Sequence, residues 1–181
     1  MRHRVLSIDP GTVNVGVAIS DIETGVGMKV LTTMNLRLKT VLKEERIREV
    51  SRKFAIREAI RNFILEALNT WEPSALIPEV PYLNESLNSF LSLYECNLAT
   101  REAIQLYSPT MAFIGVDPSS AKKALGVPGN SGDKSLVFDK VTNASHIDLS
   151  DVFPKQMTEH EVDGILIGNF YYQHFEEWRI K

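Results

Sequence analysis

A hydrophobic run, Val5-Leu6-Ser7-Ile8, ends abruptly in Asp9-Pro10-Gly11, and a second run with apolar residues at 13, 15, 17 and 19 begins two residues later. A near-continuous apolar run before a Pro-Gly break and period-two alternation after it predict two strands, a buried one over 2–9 and a second over 13–19, joined by a tight turn. Thr24-Gly25 supplies a further hairpin turn and Met28–Met34 a third strand. Strands joined by links this short pair as an antiparallel meander, because a parallel neighbour needs a crossover of a dozen residues or so. That meander is the strongest constraint on what the chain can become.

The period then changes. Ile47, Val50, Phe54, Ile60, Ile64 and Leu68 recur at helical spacing between Thr40 and Thr70, with no Gly or Pro among them. They predict one long amphipathic helix, or two in sequence, with Pro73 beyond the end. Ala75–Val80 reads as a fourth strand ending near Pro78, which cannot donate to a ladder. Asn84 is a candidate N-cap for a helix reaching Tyr107, with Leu83, Leu87, Phe90, Leu91, Tyr94 and Leu98 as its apolar stripe. Met111–Val116 is a fifth strand, and Asp117-Pro118 has the form of an N-cap followed by Pro at the first helical position. A Gly/Pro/Asn-rich loop over 126–132 precedes a short helix, Lys134–Ala144, then a polar stretch and a last helix from near Thr158. The expected fold is α/β, a mixed five-stranded sheet with three antiparallel strands then two parallel ones, flanked by helices. At 181 residues it is expected to form a single domain, 1–181.

No stretch is apolar for the roughly 18 residues of a membrane span, and the start of the chain has no secretory hydrophobic region. A cytoplasmic, intracellular protein is expected. The lone cysteine, Cys96, forms no disulfide within the chain and is read as a small buried hydrophobe. The net charge of −3 is unlike that of a non-specific DNA coater, but the charges are unevenly placed. Nine basic residues face four acids between Arg37 and Asn62, whereas Asp148, Asp151, Glu159, Glu161 and Asp163 gather near the end. Basic and acidic regions in one chain suit an enzyme that attracts phosphate and also holds cations; a solvated helix face with mixed charges gives the same pattern.

Three features carry chemistry. Asp9 ends a hydrophobic strand in the run Asp9-Pro10-Gly11-Thr12-Val13-Asn14-Val15-Gly16, whose glycines let the backbone pass close beneath a ligand; an Asp that only caps the turn would also fit. Glu79 ends the fourth strand, where a buried carboxylate is costly unless paired or bound to a cation. If that strand lies beside the first, Asp9 and Glu79 share one sheet edge. On the last helix, His160 and Asp163 are three apart and Glu159 and Asp163 four apart, so each pair shares a face. Asp163 precedes an apolar stretch and is expected to point inward, although acids at a helix start also stabilise its dipole. Together these residues offer oxygen and nitrogen donors suited to Mg²⁺ or Mn²⁺. Two such ions about 4 Å apart activate water and stabilise the leaving oxygen of a phosphodiester.

The ordered set resembles the RuvC-type Holliday junction resolvases of the RNase H-like superfamily, over nearly the whole chain. Asp9 matches the first aspartate of their Asp-Pro-Gly motif, Glu79 the glutamate after the fourth strand, and His160 and Asp163 the closing Asp/His-x-x-Asp pair. The resemblance implies that Asp9, Glu79, His160 and Asp163 are catalytic and hold two divalent ions per site. Many members have Asp at the position of His160, and Glu159 is an alternative ligand. The resemblance also implies lysines near the DNA: Lys134 as a catalytic residue that also contacts DNA, and Lys122 or Lys123, with Asn14 at the first turn, as DNA-binding residues. It implies endonucleolytic cleavage of four-way DNA junctions during recombination or replication, leaving a 5′ phosphate, by a homodimer whose candidate interface is the Asn84–Tyr107 helix. A YqgF-type nuclease acting on structured RNA, which shares the opening Asp-Pro-Gly-Thr pattern, and a non-catalytic binder of branched DNA stay open as alternatives.

Overall fold

The computed structural model describes residues 2–41, 49–81 and 87–179. The strands are β1 (Arg2–Asp9), β2 (Asn14–Glu23), β3 (Gly27–Arg37), β4 (Ala75–Pro78), β5 (Ala112–Phe113) and β6 (Ile147–Asp148). The helices are α1 (Leu38–Val41), α2 (Glu49–Trp71), α3 (Leu87–Tyr107), α4 (Pro118–Ala124), α5 (Lys134–Asn143) and α6 (Glu159–Arg179). One sheet contains all six strands in the order β5-β4-β1-β2-β3-β6. The antiparallel meander β1-β2-β3 forms as the short links require, and β4 and β5 extend it in parallel on the β1 side.

Several details differ from the sequence reading. A sixth strand pairs in parallel with β3 through Met28–Ile147 and Lys29–Asp148; two residues are too few to display a period. The fifth strand is shorter than Met111–Val116, because beyond Phe113 only an isolated bridge joins Val116 to Glu79. Pro78 closes β4 and still accepts a hydrogen bond from Val116 N at 2.9 Å. Of the expected helix over 40–70, the structure describes the short α1 and the long α2. The proposed cap Asn84, the stripe residue Leu83 and the cations Lys43, Arg46 and Arg48 lie outside the described residues. No helix among the described residues is long and apolar enough to cross a membrane.

Burial on both faces of the central strands produces two cores. Leu6, Ile8, Val15, Val17, Ile19 and Leu76 pack against Ile60, Ile64 and Leu68 of α2 and Cys96, Ala99 and Ala103 of α3. Val5, Ala18, Ile22 and Ile77 pack on the other face against Ile165 and Leu166 of α6 and Val137 and Val141 of α5. Burying one such aliphatic side chain contributes about 1.5–3 kcal/mol, so the sheet is fixed from both sides. The alternation also sets direction. Val5, Ile77 and Ala18 face α6, so the odd positions of β1 and β4 and the even positions of β2 do as well. By this parity Asp9, Glu79 and Gly16 all turn toward α6.

Part of the α3 stripe faces outward. Its small residues Cys96, Ala99 and Ala103 cover the sheet, while Leu87, Leu91 and Tyr94 are 65 %, 47 % and 48 % exposed. A close approach to α2 and the sheet favours the small side chains, which leaves the larger ones outside.

Candidate active site

Register brings the two strand-end carboxylates together. Parallel pairing sets Ile8 opposite Pro78, and Glu79 N donates to Ile8 O at 2.9 Å. Asp9 and Glu79 therefore leave adjacent strands at the same level. On the far side of β1, Asp9 is paired with Gly16 of β2. A side chain at Gly16 is impossible without movement, since a Cβ there would lie 2.0 Å from the His160 carbonyl oxygen. Gly16 thus lets the first turn of α6 rest directly on the sheet. Gly164 continues the same close packing, with its Cβ position 3.2 Å from Ala18 N. At the turn itself, a Cβ on Gly11 would meet Asn14 O at 2.3 Å.

The start of α6 is fixed by a capping box. Thr158 N and Oγ1 donate to Glu161 Oε2 at 2.7 and 2.8 Å, and Glu161 N donates to Thr158 Oγ1 at 3.4 Å. Glu161 is therefore structural. This geometry turns His160 and Asp163 inward: Asp163 is 8 % exposed, and His160 Nδ1 lies 2.7 Å from Asp9 Oδ2. Asn14 Nδ2 lies 3.4 Å from His160 Nε2. A ring with its proton on Nδ1 donates to Asp9 and accepts from Asn14, so the two contacts favour one neutral tautomer. Glu159, the alternative ligand, is 54 % exposed and absent from the walls of the cleft.

Lys134 opens α5, where the Asp133 side chain accepts from Ser135 N and Leu136 N at 3.0 and 3.2 Å. From there Lys134 Nζ donates to Asp163 Oδ2 at 2.5 Å. Asp117 similarly caps α4, accepting from Ser120 N at 2.8 Å, and Pro118 follows at the first helical position as the sequence suggested. Of the two candidate lysines on α4, Lys122 lines the cleft and donates to Ser131 O at 2.8 Å. Lys123 is exposed outside it, beside Gly129.

The cleft has a volume of about 600 Å³, and Asp9, Glu79, His160, Asp163, Lys134 and Lys122 all line it. Asn14 lines it too, so of the residues singled out from the sequence only Lys123 and Glu159 fall outside. The opposite wall is the polar face of α3, with Asn88, Ser89 and Ser92. Two buried α3 residues support the floor from behind. Asn97 Nδ2 donates to Glu79 O at 3.2 Å, and Cys96 Sγ lies 3.7 Å from Gly11 O. Neither role was read from the sequence, where Asn97 is one polar residue among several on α3.

The electrostatics are those of crowded anions. Burial, and then the charges of Asp9 and Asp163, push the Glu79 carboxyl up to about 8 despite Lys134 and Lys122. Burial also raises Asp163, and the Lys134 ammonium opposes this without cancelling it. Burial acts to lower Lys134, but the hydrogen bond and charge of Asp163 outweigh it and its pKa is raised. The hydrogen bond from His160 to Asp9 raises the imidazole above its ordinary value against the effect of burial. Three carboxylates and an imidazole suit a hard divalent cation by donor chemistry. Among the described residues no three of these side chains already form a closed ligand group. Asp9 is engaged by His160 and Asp163 by the Lys134 ammonium, so both carboxylates already have protein partners.

No family model and no curated protein matches the chain. Solved structures do. Thermus thermophilus RuvC superposes with a TM-score of 0.72 at 16 % identity, covering 98 % of this chain and 97 % of that one. The same protein in complex with Holliday junction substrate gives 0.72 at 15 %, covering 98 % and 96 %. The yeast mitochondrial Holliday junction resolvase Ydc2 gives 0.69 at 12 %, covering 98 % and 81 %. The human cytomegalovirus terminase nuclease domain, Mn soaked, gives 0.54 at 10 %, covering 98 % and 87 %. The chain therefore has a RuvC-like fold of the RNase H-like type.

Proposed function

We propose that this chain is a metal-dependent, structure-specific endonuclease that cuts four-way DNA junctions by paired phosphodiester hydrolysis. One observation carries the reading: Asp9, Glu79, His160 and Asp163, from three separate elements, line a single cleft beside Lys134. The RuvC-like fold supports it, because two neighbours of that fold are a junction resolvase and a RuvC bound to a Holliday junction.

In this reading Asp9, Glu79, Asp163 and His160 would hold two divalent cations, Mg²⁺ or Mn²⁺. Bound there, the ions would activate water for attack on the phosphodiester and stabilise the charge of the leaving oxygen. The chain's own groups do the rest. Without metal, Asp9 and Asn14 hold the imidazole of His160 between them, and the Asn14 contact to Nε2 would give way to a cation there. Lys134 faces the cleft from the start of α5 and offers a positive charge to a phosphate whose negative charge grows in the transition state. Lys122 stands on the same side as a second phosphate contact. Asn97 and Cys96 hold the two strand ends so that Asp9 and Glu79 keep their spacing.

A homodimer would present two clefts to two strands of one junction. The exposed row Leu87, Leu91 and Tyr94 on α3, next to the cleft wall, is the proposed contact. The Leu91→Glu variant should sediment as a monomer while the parent sediments as a dimer.

The deciding experiment is incubation with a labelled mobile four-way junction, with and without Mg²⁺, and mapping of the nicks. Symmetric nicks only with metal support the reading. Cutting of structured RNA in place of the junction would favour the YqgF-type alternative. Equal binding in EDTA with no nick under any metal would identify a branched-DNA binder.

A further inference from the structure

A second hollow continues from the catalytic cleft. Thr12, Val13 and Ser92 line both, so the two meet over the β1–β2 turn. This hollow, about 260 Å³ in volume, runs between α2 and α3. Its floor is apolar: Val13, 43 % exposed, and Ile56 and Ile60 of α2. Its rim is basic, formed by Arg52, Lys53 and Arg57.

These cations belong to the basic stretch of the sequence, which has four positive residues and one acid between Arg52 and Arg61. They are not equivalent. Arg57 is clamped by two of its three guanidinium nitrogens to Glu102, and Glu95, the acid in the hollow, acts on it as well. Arg61 pairs with Glu58 and does not line the hollow. Arg52 and Lys53 are exposed and make no ion pair with a carboxylate among the described residues. Two exposed cations over an apolar floor, opening into an acidic cleft, match the chemistry of one nucleotide: charge outside, an apolar face within. A hollow of this size between two helices accepts a strand, not a double helix.

We propose that this hollow is a subsite for a nucleotide flanking the scissile phosphate, its own phosphate held by Arg52 and Lys53 and its sugar and base face resting on Val13 and Ile56. The proposal rests on the endonuclease reading and adds the path of the substrate strand: out of the cleft, over Thr12-Val13, and along α2. It also gives two cations of the basic stretch, Arg52 and Lys53, a role in a chain of net charge −3.

The test uses the full chain carrying Asp9→Asn, so that binding is measured without cleavage, and a fluorescent four-way junction at several salt concentrations. Arg52→Gln with Lys53→Gln should weaken binding about tenfold and lower the slope of log K against log salt by about 1–2. Arg61→Gln should change the slope by well under 1. Ethylation interference should show one phosphate beside the cleavage point that blocks the parent and no longer matters in the double variant. An unchanged slope and affinity in the double variant, with the parent binding the junction, would overturn the subsite alone. A parent that binds no branched DNA at any salt would overturn the endonuclease reading and the subsite with it.

Discussion

His160 Nδ1 lies 2.7 Å from Asp9 Oδ2, joining the first turn of α6 to the end of β1 across 151 residues of sequence. The contact makes a pH prediction. It raises the imidazole above its ordinary value, and Glu79 is pushed up to about 8. Both groups must lose a proton before they can hold a cation. At limiting Mg²⁺, cleavage should rise through neutrality toward about pH 8 or above, and extra metal should move the rise to lower pH. Rates measured at two metal concentrations test this; a profile flat from about pH 5 to about pH 8 at limiting metal would count against ligation.

Asp9 is the carboxylate with neighbours on both sides, Glu79 just beyond β4 and His160 on α6. Asp9→Asn keeps the shape and hydrogen bonding but removes the charge. Cleavage should fall by about 10³-fold or more, while junction binding stays within about threefold because phosphate contacts dominate affinity. A single-turnover assay beside a binding titration separates the two, and a fully active variant refutes the metal assignment.

Glu79 carries the stability prediction. Its folded-state value of about 8 lies above the ordinary 4.5, so the folded chain keeps a proton that the unfolded chain releases. Stability from this group is complete below about 4.5 and is lost progressively as pH rises toward 8. Glu79→Gln removes that dependence. In EDTA its melting temperature should exceed the parent's by roughly 5 °C at pH 8 and match it near pH 4.5. Equal melting temperatures at both pH values would show that Glu79 is not held among uncompensated anions.

Much of this was legible before any coordinates, for a specific reason. Parity along a strand and spacing along a helix are local properties, so Asp9, Glu79 and the inward-facing Asp163 could be read from their neighbours. What joins them is not local. Glu161 and Glu159 flank His160 as similar acids, yet one closes a capping box and the other points outward; sequence spacing alone could not distinguish them. Lys122 and Lys123 differ only by one helical step, and the fold decides which faces the cleft. β6 was missed because two residues have no periodicity, and the apolar stripe of α3 left open whether its small or its large residues meet the sheet.

Lys134 is both counter-ion and competitor. Its ammonium stands 2.5 Å from Asp163 Oδ2, where a metal would bind. Lys134→Met should therefore raise the Asp163 pKa further in the metal-free chain, since one opposing charge is lost. At pH values where Asp163 stays ionised, Mn²⁺ should bind more tightly. Cleavage should nonetheless slow by about 10²-fold, as expected when a donor to the developing charge is removed. Calorimetric metal titration paired with saturating-metal rates distinguishes this from a surface lysine, for which neither quantity would move.

Gly16 belongs to the run whose glycines were expected to let the backbone pass close beneath a ligand, and what passes close above it is α6. Its backbone does not need a positive φ; it needs the space above it. A Cβ would lie 2.0 Å from His160 O and 2.8 Å from Glu161 N, and backbone cannot yield as a flexible side-chain tip would. Gly16→Ala should push the first turn of α6 off β2, lengthen the His160–Asp9 contact and cost about 1–3 kcal/mol. Gly132→Ala is the control, because nothing lies within 4 Å of its added carbon. Denaturant unfolding should separate the two by that amount, and the folded fraction of Gly16→Ala should bind metal more weakly than the parent. Unchanged stability and metal affinity in Gly16→Ala would mean that the start of α6 does not rest on β2, and the convergence of His160 on Asp9 would lose its structural basis.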